Sequence, residues 1–330
     1  MQGNRLTSHR VGKHRRKGNI LMHVLAIGEC MAEMAPTDIE GDYRLGFAGD
    51  TFNTAWYLAR CAPDVTVSYL TAVGDDAISR NMTRFMRDSG IDDRFVRVVP
   101  DKTIGLYLIS LNNGERSFSY WRGQSAATGL ADSTACLAQA ADTADLIYFS
   151  GITLAILEAA PRASLLRVLR GARASGKTIV FDPNLRPRLW SSNETMTQAI
   201  MEGAAVSDIV LPSFEDEASW FDDATPDHTA ARYLNAGATT VFVKNGADPV
   251  LFAEGPTRVG IPVEPVSTVI DTTAAGDSFN AGILAGHAAG VSFEHGIAYA
   301  CNLAREVVQK KGALVQTELP AISVLTGKWA

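Results

Sequence analysis

From His23 onward the apolar residues of this chain switch period repeatedly, from strand-like runs to helical spacing and back, and that alternation limits its fold more than any other feature. Residues 23–27 read as a strand, 51–60 as a helix, 65–72 as a strand and 76–89 as a helix. After residue 130, strands are expected at Leu146–Ser150, Thr178–Asp182, 209–212 and 240–244, separated by helices that end at Gly176, Gly203 and Gly237. Such alternation builds an α/β fold, a doubly wound and mainly parallel sheet with helices on both faces. Residues 103–122 break the pattern: 104–111 and 117–121 alternate across Asn112-Asn113-Gly114-Glu115, as the arms of an antiparallel hairpin do. With 30–47, whose two ends also read as extended, the hairpin would form a small flap over the sheet edge. The sequence shows no internal repeat, low-complexity run or interdomain linker.

With 330 residues, 46% of them hydrophobic, the chain can bury a large core. No apolar run approaches the roughly 18 residues of a membrane span, and no apolar segment follows the basic N-terminus as a secretory signal would require. A cytoplasmic protein without membrane or nucleic-acid partners is expected. Cys30, Cys61, Cys136 and Cys301 form no CxxC pair and fit reduced thiols. Net charge is −6, yet Arg5, Arg10, Lys13, Arg15, Arg16 and Lys17 fall in residues 1–21 with no acid, which leaves the remainder near −12. That arm has neither aromatic interleaving nor an amphipathic period, so 1–21 reads as a disordered leader and 22–330 as the folded domain.

Two short stretches compete for the role of phosphate binder. Gly171 to Thr178, GARASGKT, satisfies the Walker A expression, ending in Lys177-Thr178. A phosphate loop must leave a strand and open a helix, so that backbone N–H groups and the helix dipole converge on the anion. Here the expected order is helix (162–173), turn, strand. Gly176 then caps a helix C-terminus, Lys177 stands beside its carbonyls, and the Walker reading is set aside. Asp271 to Asn280, DTTAAGDSFN, has the required order. Ala274, Ala275 and Gly276 open a helix with side chains small enough for a phosphate to approach successive N–H groups. Asp277, in the first helical turn, would repel that anion, so it is read as a base for an attacking hydroxyl. Taken alone, an N-capped packing turn of small residues would look the same.

DTTAAGD followed by Ser-Phe resembles the second signature of the ribokinase-like (PfkB) carbohydrate kinases, and the likeness covers nearly all of the chain from Met22. AGDTFNTAWYLAR, beginning at Ala48, resembles that family's sugar-contacting Gly-Gly-Asp loop and helix. Asp182-Pro-Asn-Leu-Arg186 resembles its central Asp-x-Asn-x-Arg segment, and Lys244-Asn-Gly-Ala-Asp248 its nucleotide-side turn. The resemblance implies a ribokinase-like doubly wound body with a small antiparallel β lid near 30–47 and 103–122. It implies ATP-dependent phosphorylation of a sugar, with Mg2+ on the nucleotide phosphates. Ala274, Ala275, Gly276 and Asp277 would supply the anion hole and base, and Gly49, Asp50, Thr51 and Asn53 the contacts to sugar hydroxyls. Asn184 and Arg186 would reach the phosphate side, while Lys244, Asn245, Gly246, Ala247 and Asp248 would line the adenosine pocket. Plainer roles stay open at this point: N-capping for Asp50 and Thr51, a strand-end surface lysine for Lys244, loop surface for Arg186.

The chain departs from the family pattern at three places. Ala48 replaces the first glycine of the pair and Ala274 the usual glycine of the hole; donation survives at 274 if that position needs no positive φ. The family's Asn-x-x-Glu motif is reduced to Ser213-Phe-Glu-Asp216, and the metal ligands are left unassigned. Specificity is read from the lid, where Tyr107 and Tyr120-Trp121-Arg122 lie on the hairpin. Arg122 and Arg186 offer forked donors that match a carboxylate, so a sugar acid is the expected substrate. A kinase of a neutral sugar such as fructose, a nucleoside kinase, and a sugar-binding regulator without turnover remain alternatives. Exposed lid edges suggest a homo-oligomer, a dimer through the lid.

Overall fold

The computed structural model describes residues 22–112 and 115–329. The basic arm 1–21 and the centre of the hairpin turn, Asn113-Gly114, lie outside the described residues. In chain order the strands are β1 (His23–Ile27), β2 (Met31–Pro36), β3 (Tyr43–Ala48), β4 (Thr66–Val73), β5 (Val96–Val98), β6 (Leu106–Asn112) and β7 (Glu115–Trp121). They continue as β8 (Leu146–Ser150), β9 (Thr178–Asp182), β10 (Ile209–Val210), β11 (Thr240–Val243), β12 (Val250–Glu254) and β13 (Thr257–Ile261). The main sheet runs β13-β12-β11-β10-β9-β8-β1-β4-β5, parallel from β11 to β5, with β12 and β13 antiparallel at one edge. The remaining strands form a lid sheet, β3-β2-β6-β7, in which two antiparallel hairpins join along a parallel β2–β6 pair.

Strands covered on both faces need unbroken apolar sequence, and β1 shows why. Its Val24 and Ala26 enter one core, its Leu25 and Ile27 the other. The first core is closed by helices α1 (Asp50–Cys61) and α2 (Ala77–Asp88), and the second by α3 (Thr134–Thr143), α4 (Gly151–Ala155), α5 (Ala159–Ala174) and α6 (Asn193–Ala205). Then come α7 (Phe214–Phe221), α8 (Pro226–Ala236), α9 (Ala275–Ala289), α10 (Phe293–Val308) and α11 (Ile322–Trp329), with α8 on the second core and α9 and α10 on the first. Each fully buried Leu or Phe in these layers contributes about 1.5–3 kcal/mol.

Several expected boundaries move by a residue or two, and two of these shifts are informative. Strand 209–212 shortens to Ile209–Val210, after which pairing with the neighbouring strand resumes as an isolated bridge between Ser213 and Lys244. Helix α6 does not stop at Gly203 but runs on to Ala205. A Cβ at Gly203 would lie 2.8 Å from the Phe181 ring, so this glycine serves helix-to-sheet contact rather than helix termination.

From β1 the chain winds outward through β4 and β5, then returns to β8 on the other side and winds outward through β9, β10 and β11. The reversal between β1 and β8 is a topological switch point, and in open α/β sheets the crevice beyond such strand ends is where ligands bind. Glu29, Ser150, Asp182 and Lys244 all lie at or just past the C-terminal ends of these strands.

Candidate active site

Helix α9 begins at this crevice. Its N-cap, Ala274, sits at φ 60° and ψ 15°, without a side chain to cap the helix. The substitution of alanine for glycine here therefore does meet a left-handed backbone, at a cost of about 1–2 kcal/mol. Asp271 holds the turn in place: its carboxylate accepts from the Thr273 N–H at 3.1 Å, the Thr273 hydroxyl at 2.7 Å and the Gly312 N–H at 2.7 Å. One expected member of the anion hole is already engaged, since the Ala275 N–H donates to the Thr272 carbonyl at 3.2 Å. Gly276 and Asp277 then offer the uncapped first-turn N–H groups.

The Asp277 carboxylate accepts from Asn53 Nδ2 at 2.8 Å, and its carbonyl accepts from the Thr54 hydroxyl at 3.1 Å. Burial, reinforced by the nearby Asp50 carboxylate, pushes its pKa up to about 8, against the opposing pull of Asn53 and Lys244. Asp50 lies in the first turn of α1, accepts from Asn184 Nδ2 at 2.8 Å, and is itself raised by burial. Lys244 is not a surface lysine, since its side chain is only 11% exposed. Its Nζ donates to Asp182 at 3.3 Å and Asn280 at 3.2 Å, and a Cβ on Gly276 would lie 3.7 Å from it. A cation thus stands beside the N-terminus of α9, where charge from a phosphate would gather. The turn Asn245 to Asp248, half-buried at Asn245 and exposed from Gly246 on, is closed by Asp248 N–H to Asn245 O at 2.9 Å.

Gly49 precedes α1 and packs so closely on β1's exit that a Cβ would lie 2.1 Å from the Glu29 carbonyl oxygen. This close approach, with Asn53 N–H bonded to Gly49 O at 2.7 Å, fixes Asp50 and Asn53 over the crevice. Thr51 drops out of the expected sugar contacts. It is wholly buried, and its hydroxyl shares a 2.8 Å bond with the Tyr69 hydroxyl, tying α1 to β4.

The lid presents one face to this site. Tyr107, Ile109, Met31 and Ala48 cluster there, and Ala274 packs against them. The Tyr107 hydroxyl donates to Glu33, and the Tyr107 and Tyr120 rings lie 5.9 Å apart across the β6–β7 pair. Trp121 pairs with Leu106 on the alternate face and is 60% exposed, so strand alternation removes it from the site. Arg122, just past β7, is buried against Glu29, and its Nε has no hydrogen-bond partner. Arg186, at φ 46°, is exposed, with Nη1 3.9 Å from Asp216. Sequence reasoning passed over Glu29, Glu33, Asp182 and Asn280 as site residues. The available signal was a carboxylate directly after a buried strand (Gly28-Glu29) and another inside the apolar run MAEMAP.

The Walker-like stretch has the opposite geometry. Helix α5 ends at Ala174, Gly176 follows at φ 88°, and the N–H groups of Gly176 and Lys177 turn back to the carbonyls of Arg173 and Ala172 at 2.9 and 3.1 Å. Lys177 Nζ donates to the Asp142 carbonyl at 3.0 Å.

Known proteins resemble this chain in sequence and in fold. The model of the pfkB family of carbohydrate kinases matches residues 22–320. The chain is 38% identical over 307 residues to the 2-dehydro-3-deoxygluconokinase of Escherichia coli, covering 90% of this chain and 99% of that one. It is 31% identical over 267 residues to a fructokinase of Rhizobium leguminosarum, covering 79% and 78%. Among solved structures, the aminoimidazole riboside kinase of Salmonella enterica, complexed with its riboside and an ATP analog, superposes with TM-score 0.75 at 25% identity over 93% of this chain and 100% of that one. The chain belongs to the pfkB family of carbohydrate kinases.

Proposed function

We propose that this protein transfers the γ-phosphoryl group of ATP to the 6-hydroxyl of 2-keto-3-deoxygluconate, giving 2-keto-3-deoxy-6-phosphogluconate and ADP. Relatives that share more than a third of its residues along almost their whole length carry that activity in their names. The observation that carries phosphoryl transfer is Asp277 at the uncapped start of α9, hydrogen-bonded by Asn53. The reacting hydroxyl, oriented by Asp50 and Asn53, would give its proton to the Asp277 carboxylate as its oxygen bonds to the phosphorus. The N–H groups of Gly276 and Asp277, with Lys244, would stabilise the charge on the transferring group. Preference for an acid is favoured by the buried, unpartnered Nε of Arg122, an unused donor that a substrate carboxylate would satisfy.

Among the described residues no three carboxylates, histidines or cysteines gather as a metal cluster. Asp182 and Asp216 are the carboxylates near the phosphate end, a set that fits a magnesium ion keeping phosphate and water oxygens as its main ligands. Such an ion would neutralise phosphate charge during transfer. The product suits sugar-acid breakdown of the Entner–Doudoroff or uronate type. We also propose a dimer through the lid, whose sheet exposes Tyr43, Leu45 and Trp121 on the face away from Tyr107. A cytoplasmic location fits the four free cysteines.

The test is ADP release across 2-keto-3-deoxygluconate, fructose and a nucleoside, for wild type and Arg122→Ala. The sugar acid should lead. The variant should raise its KM roughly ten- to hundredfold, the worth of a charge-assisted bond, with KM for ATP little changed. Fructose as an equal substrate would favour the neutral-sugar reading. Binding of the acid without ADP release would favour a regulator.

A further inference from the structure

The two ends of the lid hairpin converge on one buried carboxylate. Glu29 is 2% exposed, and its carboxylate accepts from Arg122 Nη2 at the exit of β7 and from the Ser125 hydroxyl at 2.6 Å. At the entrance to β6, a Cβ on Gly105 would lie 2.7 Å from Glu29 Oε1, and the Gly105 carbonyl accepts from Ala32 N–H at 2.8 Å. Through its own carbonyl Glu29 also packs on Gly49, the residue that starts the sugar-binding end of α1. A single side chain therefore touches the lid at both ends, while its backbone supports the body's substrate loop.

We propose that Glu29 is a positioning residue for substrate recognition, which holds Arg122 by one nitrogen so that the remaining donors of the guanidinium serve the acid end of the sugar. The assignment rests on the sugar-acid reading above. An arginine side chain only 11% exposed needs a counter-charge, and Glu29, 1% exposed, supplies it. The pair uses one guanidinium nitrogen and leaves Nε buried and free. Glu29 thereby fixes the direction of the fork while Ser125 fixes Glu29. Without the carboxylate, the guanidinium would turn outward toward water, and the lid would lose its donor without losing its fold. Glu33 plays the parallel part for the Tyr107 hydroxyl on the adjacent strand pair.

The experiment is a double-mutant cycle of Glu29→Gln and Arg122→Ala, read as separate KM and kcat values in the ADP-release assay and as thermal midpoints. Glu29→Gln should raise KM for 2-keto-3-deoxygluconate about tenfold, with KM for ATP and kcat within about threefold, and should lower the midpoint because a buried guanidinium loses its counter-charge. In the Arg122→Ala background the same change should add almost nothing to KM. Additive effects, or an unchanged sugar KM, would overturn the positioning role, as would a loss in kcat as large as the rise in KM. If Glu29→Gln does not fold, Ser125→Ala removes the second anchor: a rise in sugar KM confined to backgrounds with Arg122 supports the role, and no rise refutes it. A wild type inactive on the acid would fail the functional reading itself, which the substrate panel reports without either variant.

Discussion

The stretches 171–178 and 271–280 both offer small residues, backbone donors and a charged side chain, yet the chain runs through them in opposite senses. At 171–178 a helix ends, so Gly176 and Lys177 N–H groups are spent on the carbonyls of α5. At 271–280 a helix begins, no side chain caps it, and Lys244 reaches its first turn from β11's exit. The first loop matches the letters of a phosphate motif and faces an anion with carbonyl oxygen. The second faces it with N–H groups and a cation. Helix polarity decides the matter, because the sign of the partial charge at a helix end is set by the direction of the chain.

Substitutions on the two sides should therefore differ by orders of magnitude. Asp277→Asn should keep the fold and ATP binding and lower kcat by roughly 10² to 10⁴, the span of general-base help. Near-wild-type turnover in the folded variant would erase the contrast from the active side. Lys177→Ala should leave kcat and both KM values unchanged and cost only a few tenths of a kcal/mol in stability, measured by denaturant midpoint, through the lost charge at the C-terminus of α5. A large rise in KM for ATP would erase the contrast from the other side.

Much of this architecture was legible in the sequence because it rests on periodicity. Strands Leu146–Ser150 and Thr178–Asp182 fall where the apolar runs predict, and α2 falls within the expected 76–89, whose end residues Asp76 and Ser89 prove to be its caps. The β12–β13 hairpin went unread, since Gly255 and its neighbours give a short exposed turn after an already mixed apolar run. At the site, placements that follow from chain direction were readable, Asp277 in the first turn of α9 and Gly176 past the end of α5 among them. Residues whose role depends on a distant partner were not. Thr51 looks like any helix-start hydroxyl until Tyr69 is seen to bond it. Lys244 looks like a strand-end lysine until α9 folds back over it, and Glu29 gives no hint that its partner lies 93 residues away.

The central claim is that Asp277 accepts the proton, and the pH dependence of kcat/KM in wild type and Asp277→Asn tests it most directly. A base must be ionised to act, and burial together with Asp50 pushes the Asp277 pKa up to about 8. Below that value only the fraction carrying the free carboxylate can react. Wild-type kcat/KM should therefore rise about tenfold per pH unit from pH 5.5 to roughly 7.5 and level off above about 8, while the residual activity of Asp277→Asn should lack that rise. A wild-type profile flat across this range, or the same rise surviving in the variant, would contradict the account.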